Sequence, residues 1–323
     1  MANWLQSLIL GIVQGVTEFV PVSSSGHLVL LPYLAGWDTP GLAFDVALHM
    51  GTALAVLVYF RRELWGMATA VVRRGDDPES ALYRRLLVLL VVGSVPVALT
   101  GLFLKPLFED AFESPLLVSG FLVVTAVVLT AGERVRARRV GAVAPAPETG
   151  EHRARVWQGD WHGSSEEVAV LEPAADVATG RDPADPHGVD LQRLGMRHAL
   201  IVGAGQALAL FPGLSRSGTT ITAGLFAGLT RPAATRFSFL LSLPALIGAG
   251  LVSLPDLGQE AARFSTGDIL IGVGAAFLAG YATVAWLVRL VARERLTVFV
   301  RYLLAAAVIG VFGYLMNGPL SSV

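Results

Sequence analysis

The sequence predicts an all-α polytopic membrane protein with six transmembrane helices and two re-entrant helix–loop–helix hairpins, arranged as inverted-topology repeats. Three observations carry this expectation. Of the 323 residues, 54% are hydrophobic and only 15% charged, against about 25% charged in an ordinary soluble domain. The apolar residues fall in continuous runs of roughly the 17 to 25 residues needed to cross a hydrocarbon core, not in the alternating ten-residue segments of a membrane barrel. Finally, two similar Pro/Gly/Ser-rich interruptions recur, each ahead of three such runs. Cysteine is absent, which excludes disulfides, thiolate metal sites and a cysteine nucleophile.

In chain order, the spans are expected at about 42–60, 86–104, 116–131, 237–254, 269–291 and 299–316. The opening stretch MANWLQSLIL lacks the basic n-region of a signal peptide and is expected to belong to the mature chain. Arginines gather in alternate connections: Arg61, Arg62, Arg73, Arg74, Arg84 and Arg85 in the first, Arg134, Arg136, Arg138, Arg139, Arg193 and Arg197 in the long central one, Arg293 and Arg295 in the last. The opposite connections carry Glu109, Asp110, Glu113, Asp256, Glu260 and Asp268. The positive-inside rule places the arginine-rich side in the cytoplasm, with the segment before residue 42 and the C-terminus outside.

The stretches 4–31 and 199–229 are apolar but broken, by FVPVSSSGH and FPGLSRSGT. Proline and glycine interrupt helices, and serine hydroxyls satisfy the freed backbone groups. Irregular backbone at membrane depth survives only inside protein or along a wet cavity, so both stretches read as re-entrant hairpins. An offset of 192 superposes Gly11 on Gly203, Gln14 on Gln206, Phe19 on Phe211, Ser23 on Ser215, Ser25 on Ser217 and Gly26 on Gly218. Two halves of three spans each must then lie in opposite orientations, an arrangement known to build midplane sites. This divides the chain into a first repeat at 1–139, an acidic segment at 140–190 and a second repeat at 191–323. The central segment holds ten acids against three arginines, Ala, Pro and Gly in quantity, and no periodicity; it reads as a disordered cytoplasmic loop. His152, His162 and His187 lie there without metal-ligand spacing, and Trp157 and Trp161 could form a local cluster.

Chemistry concentrates in the two breaks. Gln14 and Glu18 share a helical face, and Ser23, Ser24, Ser25, Gly26 and His27 follow. Ionisable groups at membrane depth are costly without a partner or a wet cavity. Arg216 is the one cation in a second apolar stretch of some thirty residues, flanked by Ser215, Ser217, Gly218 and Thr220; a guanidinium beside helix-start amides suits phosphate oxygens. If the breaks meet, a carboxylate, an imidazole, hydroxyls and a fixed cation share one pocket, the parts phosphoryl transfer uses. The competing readings are packing by small residues and a structural Glu18–Arg216 pair. Asp45 and His49, four apart in the first span, either steer the site or form a structural pair, the latter preferred.

The segments QGVTEFVPVSSSGH (14–27) and PGLSRSGTT (212–220), with FDVALHMGT (44–52), resemble the undecaprenyl-diphosphatase family, also called the bacitracin-resistance protein (BacA type). The likeness runs through both halves and fails only across about 140–190. It implies a plasma-membrane hydrolase, its site facing outward, that converts undecaprenyl diphosphate to undecaprenyl phosphate and inorganic phosphate and so recycles the lipid carrier for cell-wall synthesis. By position, the resemblance makes Glu18, Ser24, His27 and Arg216 catalytic, with Gln14, Ser23, Ser25, Gly26, Ser215, Ser217, Gly218 and Thr220 on the substrate side. It also implies dependence on Mg²⁺ or Ca²⁺ arriving with the diphosphate, with Glu18 the obvious acidic ligand; no organic cofactor and no nucleic acid is expected. Position 14 is Gln where the signature also admits Glu, so a two-carboxylate mechanism is not expected. Thr222 stands where a type-2 phosphatidic acid phosphatase needs a histidine, six residues after Arg216. The rival of another class is a polyprenyl-phosphate transporter or flippase, and the Gly-rich spans allow a homodimer without requiring one.

Overall fold

The computed structural model describes residues 3–37, 41–73, 77–104, 114–143, 179–182, 185–260, 264–291 and 295–319. Among these residues the chain forms eleven helices and no strand: α1 (Asn3–Thr17), α2 (Ser24–Ala35), α3 (Leu42–Tyr59), α4 (Arg61–Arg73), α5 (Pro78–Phe103), α6 (Pro115–Val143), α7 (Met196–Leu208), α8 (Arg216–Phe226), α9 (Arg231–Glu260), α10 (Thr266–Val291) and α11 (Val298–Asn317). A lone parallel bridge joins Val189 to Leu229. Five helices are long and apolar enough to cross a membrane, α5, α6, α9, α10 and α11, and a sixth span results if α3 and α4 count together across their 73° bend. The protein is an integral, polytopic membrane protein.

The helices outrun the expected spans where polar residues extend them. α6 continues from its apolar part through the run Glu133 to Val140, and α9 begins at Arg231, six residues before the expected start. Glu133 and Arg231 explain both extensions: they pair at 2.9 Å, each almost buried, and Glu133 also accepts the Leu296 amide at 3.1 Å. The Arg61–Arg73 stretch, expected as a basic loop, is helical. α3 stops at Phe60, whose fully buried ring lies beneath the Arg236 guanidinium at 5.2 Å, and Arg236 in turn pairs with Glu63 of α4 at 2.5 Å.

The disordered-linker expectation for 140–190 needs correction at its end. Residues 144–178 and 183–184, including His152, Trp157, Trp161 and His162, lie outside the described residues. Asp182, Asp185 and Asp190, however, are buried. Arg136 binds Asp182 at 2.6 Å, Arg139 binds Asp185 at 2.5 Å, and Arg139 also donates to the Leu229 carbonyl at 3.0 Å. Arg85 donates to the carbonyls of Gln192 and Leu194. Asp182 and Asp185 thus neutralise arginines of α6 instead of facing water, each pairing across 46 residues, while Asp190 faces Arg181 and Arg193; composition reveals none of these contacts.

Four of the five shortest helices form two pairs, α1 with α2 and α7 with α8, each helix of 11 to 15 residues and each pair broken in the middle. None reaches the roughly 20 residues of a full crossing. α1 packs along α10 and α7 along α5. Both contacts depend on glycine: a Cβ on Gly11 would stand 2.3 Å from the Gly272 carbonyl oxygen, and one on Gly203 would stand 2.1 Å from that of Gly93. Small residues let membrane helices approach backbone to backbone, which is where their packing energy lies. Phe19, fully buried, meets Phe239 of α9 edge-on at 5.3 Å and seats the first break against α9.

Gly203→Val should therefore destabilise the protein by about 1–3 kcal/mol or more through overpacking, read as a lower Tm in detergent. Gly120→Val, at an exposed helical position with open space around it, should leave Tm unchanged.

Candidate active site

The two breaks meet. α2 begins after Ser23, whose hydroxyl accepts the Gly26 amide at 3.2 Å, and α8 begins after Ser215, whose hydroxyl accepts the Gly218 amide at 3.1 Å. These caps explain why SSG and SRSG restart a helix where they do. Among the described residues Ser23 is the one non-glycine with a positive φ, 71°, a conformation that costs energy and persists only where surroundings enforce it. The breaks then bond to each other: Ser217 donates to the Val20 carbonyl at 3.1 Å, and Ser25 accepts the Gly213 amide at 3.4 Å. Thr125 of α6 buttresses the second break, donating to the Gly213 carbonyl and accepting the Ser215 amide, both at 3.1 Å. Gly213 has no alternative, with φ 93° and the Val118 carbonyl oxygen only 2.4 Å from where its Cβ would be.

Glu18 is the centre. The residue is 4% exposed, and both carboxylate oxygens are engaged. Oε1 accepts from Nη2 of Arg216 at 3.0 Å and from its Nε at 3.3 Å. Oε2 accepts the Ser24 hydroxyl at 2.6 Å and the Gln14 amide at 3.0 Å, and Nε2 of His49 stands 3.4 Å away. Arg216 also donates to the carbonyls of Ser238 at 3.3 Å and Glu18 at 3.5 Å. Ser24 and Arg216, equivalent under the offset of 192, thus approach one carboxylate from opposite breaks.

Ser24, Ser25, His27 and Arg216 are partly exposed; Gln14, Ser23, Gly26, Ser215, Ser217, Gly218 and Thr220 are buried. The buried members bond within the protein: Gln14 to Glu18, and Thr220 to the Ser238 hydroxyl at 2.5 Å. These bonds hold the loops from within the protein. His27 does not bond Ser24. Its Nδ1 meets the Ser23 carbonyl and its Nε2 the Tyr302 hydroxyl, both at 2.6 Å.

Sequence reasoning missed Tyr302, Thr125 and Ser238, which reach the site from distant helices with no local motif. His49 was legible as one of a pair with Asp45, but its Nδ1 bonds the Asp45 backbone carbonyl at 2.7 Å while Nε2 faces Glu18; it belongs to the site. For a resident divalent cation the donor set does not fit: among the described residues no three His, Asp or Glu side chains converge, and both Glu18 oxygens are occupied by donors.

A family profile described as "Bacitracin resistance protein BacA" matches residues 7–309. The chain belongs to this family. Relatives named undecaprenyl-diphosphatase include those of Gemmatimonas aurantiaca, 38% identical over 304 residues, and Nocardioides sp., 34% identical over 307; each alignment covers 94% of this chain and 94% of the relative. That of Pelobacter propionicus is 38% identical over 312 residues, again 94% of both chains.

Arg216→Lys keeps a charge but loses the fork that spans Glu18 and the Ser238 carbonyl. We expect phosphatase turnover to fall about 100-fold, the usual cost of one preorganised charge-stabilising donor, with the protein still folded by its melting transition.

Proposed function

We propose that this protein hydrolyses undecaprenyl diphosphate to undecaprenyl phosphate and inorganic phosphate, returning the lipid carrier to cell-wall synthesis. The observation that carries the chemical reading is the 2.6 Å bond from Ser24 to Glu18, backed by the family of the chain and the names of its relatives. A neutral serine is a weak nucleophile unless a base lies within hydrogen-bond reach. Glu18 is that base, and the reading of it as a purely structural partner of Arg216 leaves the serine contact without a purpose. The transporter alternative is not favoured by the family.

In the proposed reaction the diphosphate sits over Ser24, Ser25 and Arg216 with the polyprenyl tail in the lipid. The positive ends of the α2 and α8 dipoles and the Arg216 guanidinium attract its oxygens. Glu18 takes the hydroxyl proton as Ser24 Oγ attacks the terminal phosphorus; the phosphoanhydride bond breaks and undecaprenyl phosphate leaves with that bond's electron pair. Water then attacks the phosphoserine. Its proton goes to His27, the bond to Oγ breaks, Oγ recovers the proton from Glu18, and inorganic phosphate departs. His27 suits the second step because its Nδ1 faces a carbonyl, which accepts and never donates, so the ring carries its proton there and offers Nε2 as a base. Mg²⁺ or Ca²⁺ in this reading comes as the counter-ion of the diphosphate.

The same proposal includes the membrane arrangement. The α1–α2 and α7–α8 pairs are re-entrant hairpins of two inverted repeats, supported by the matched glycine contacts Gly11–Gly272 and Gly203–Gly93 and by broken helices placed at a site. The arginine-rich ends lie in the plasma membrane's cytoplasmic leaflet and the site opens outward.

Purified protein in detergent should release phosphate from undecaprenyl diphosphate, and Ser24→Ala should lower the rate about 10³-fold or more. Acid quenching during turnover should trap phosphate on Ser24 in the wild type. Glu18→Gln should leave none there, while His27→Ala should raise the trapped fraction. Phosphate release with no trapped phosphoserine in any variant would replace the covalent route by direct attack of water.

A further inference from the structure

We infer that Tyr302 of α11 is the positioning residue of His27 and the relay through which its Nε2 exchanges a proton with water at the site. The inference rests on the reading above, in which His27 serves the hydrolytic step. Both ring nitrogens have one partner each: Nδ1 the Ser23 carbonyl and Nε2 the Tyr302 hydroxyl, at 2.6 Å. A carbonyl takes no proton, so Nδ1 is a fixed donor and every proton reaching or leaving His27 passes at Nε2. The Tyr302 hydroxyl occupies that place. It donates to Nε2 and keeps lone pairs free to accept from a second molecule, and the protein leaves 49% of the residue uncovered, so a water can reach the imidazole through it. The Tyr302 ring lies nearly parallel to the imidazole, 6° between planes and 5.6 Å between centroids, which fixes the plane in which Nε2 points.

The proton transfer balances without another reactant. As water attacks the phosphoserine, its proton passes to the Tyr302 oxygen while the Tyr302 proton passes to Nε2. Tyrosine ends neutral, His27 ends as imidazolium, and the extra proton returns to solvent after phosphate leaves.

Tyr302 comes from the last helix and His27 from the second, 275 positions apart. The contact therefore also ties α11 to the first break, a role any large side chain could serve. Tyr302→Phe separates the two, since it keeps the ring and removes the hydroxyl alone. We expect kcat for undecaprenyl diphosphate to fall about tenfold, the loss of one hydrogen bond at a working group, with KM within about twofold. The fraction of Ser24 trapped as phosphoserine should rise. In a His27→Ala background, Tyr302→Phe should cost nothing further. Nitrogen-15 spectra of the histidine rings, recorded without substrate, should show the Nε2 signal of His27 moving in Tyr302→Phe while Nδ1 stays protonated.

Unchanged kcat in Tyr302→Phe, an equal loss with and without His27, or an unmoved Nε2 signal would each overturn the inference. Full activity of His27→Ala would instead overturn the role given to His27 itself, and that measurement is made on a separate variant.

Discussion

A carboxylate buried among apolar helices must be neutralised and hydrogen-bonded, because the cost of stripping water from a lone charge exceeds any packing gain. Glu18 meets this requirement with donors that no single segment could provide. Arg216 comes from α8, Ser24 from α2, Gln14 from α1, and His49 approaches from α3. The charge pins together the two breaks and both halves of the chain. It also prepares the chemistry: the guanidinium covers one oxygen and leaves the other to a serine hydroxyl. The same constraint that makes the fold consistent sets the nucleophile beside its base.

Around this pair the loops remain irregular without being unsatisfied. The Val20 carbonyl accepts Ser217, the Gly213 carbonyl accepts Thr125, and the amides of Gly26 and Gly218 are capped by serines one turn earlier. Backbone away from water tolerates such breaks only when its polar groups find partners. The serines and threonines of the motifs are mostly occupied this way, which explains why only some of them are exposed. The strained Ser23 sits where the constraints are densest, its hydroxyl capping α2 and its carbonyl holding His27.

At the other pole of α6, arginines are neutralised differently. Glu133, Asp182 and Asp185 pair with Arg231, Arg136 and Arg139, and the stretch after residue 179 is stitched to the α8–α9 turn by the Val189–Leu229 bridge and by Thr230 donating to the Gly180 carbonyl at 2.5 Å. This end of α8 is thereby fixed to α6, and the opposite end carries Arg216. The position of the guanidinium depends on both anchors.

The resemblance of the motifs to a known family pointed to Ser24 and His27; the amino-acid sequence by itself determined the membrane class, the long helices, the two breaks and the out-of-place charges Glu18 and Arg216. These rest on local properties: hydrophobic run length, helix-breaking residues, capping serines and charges out of place in apolar surroundings. Only the tertiary structure decided who contacts whom. It set Glu18 rather than His27 against Ser24, buried Gln14 and Thr220 within the loops, brought His49 and Tyr302 in from α3 and α11, and turned Asp182 and Asp185 of the central segment into partners for α6. Those facts depend on contacts between residues tens to hundreds of positions apart, and a one-dimensional pattern of hydrophobicity and charge holds no information about which distant helices will pack backbone to backbone.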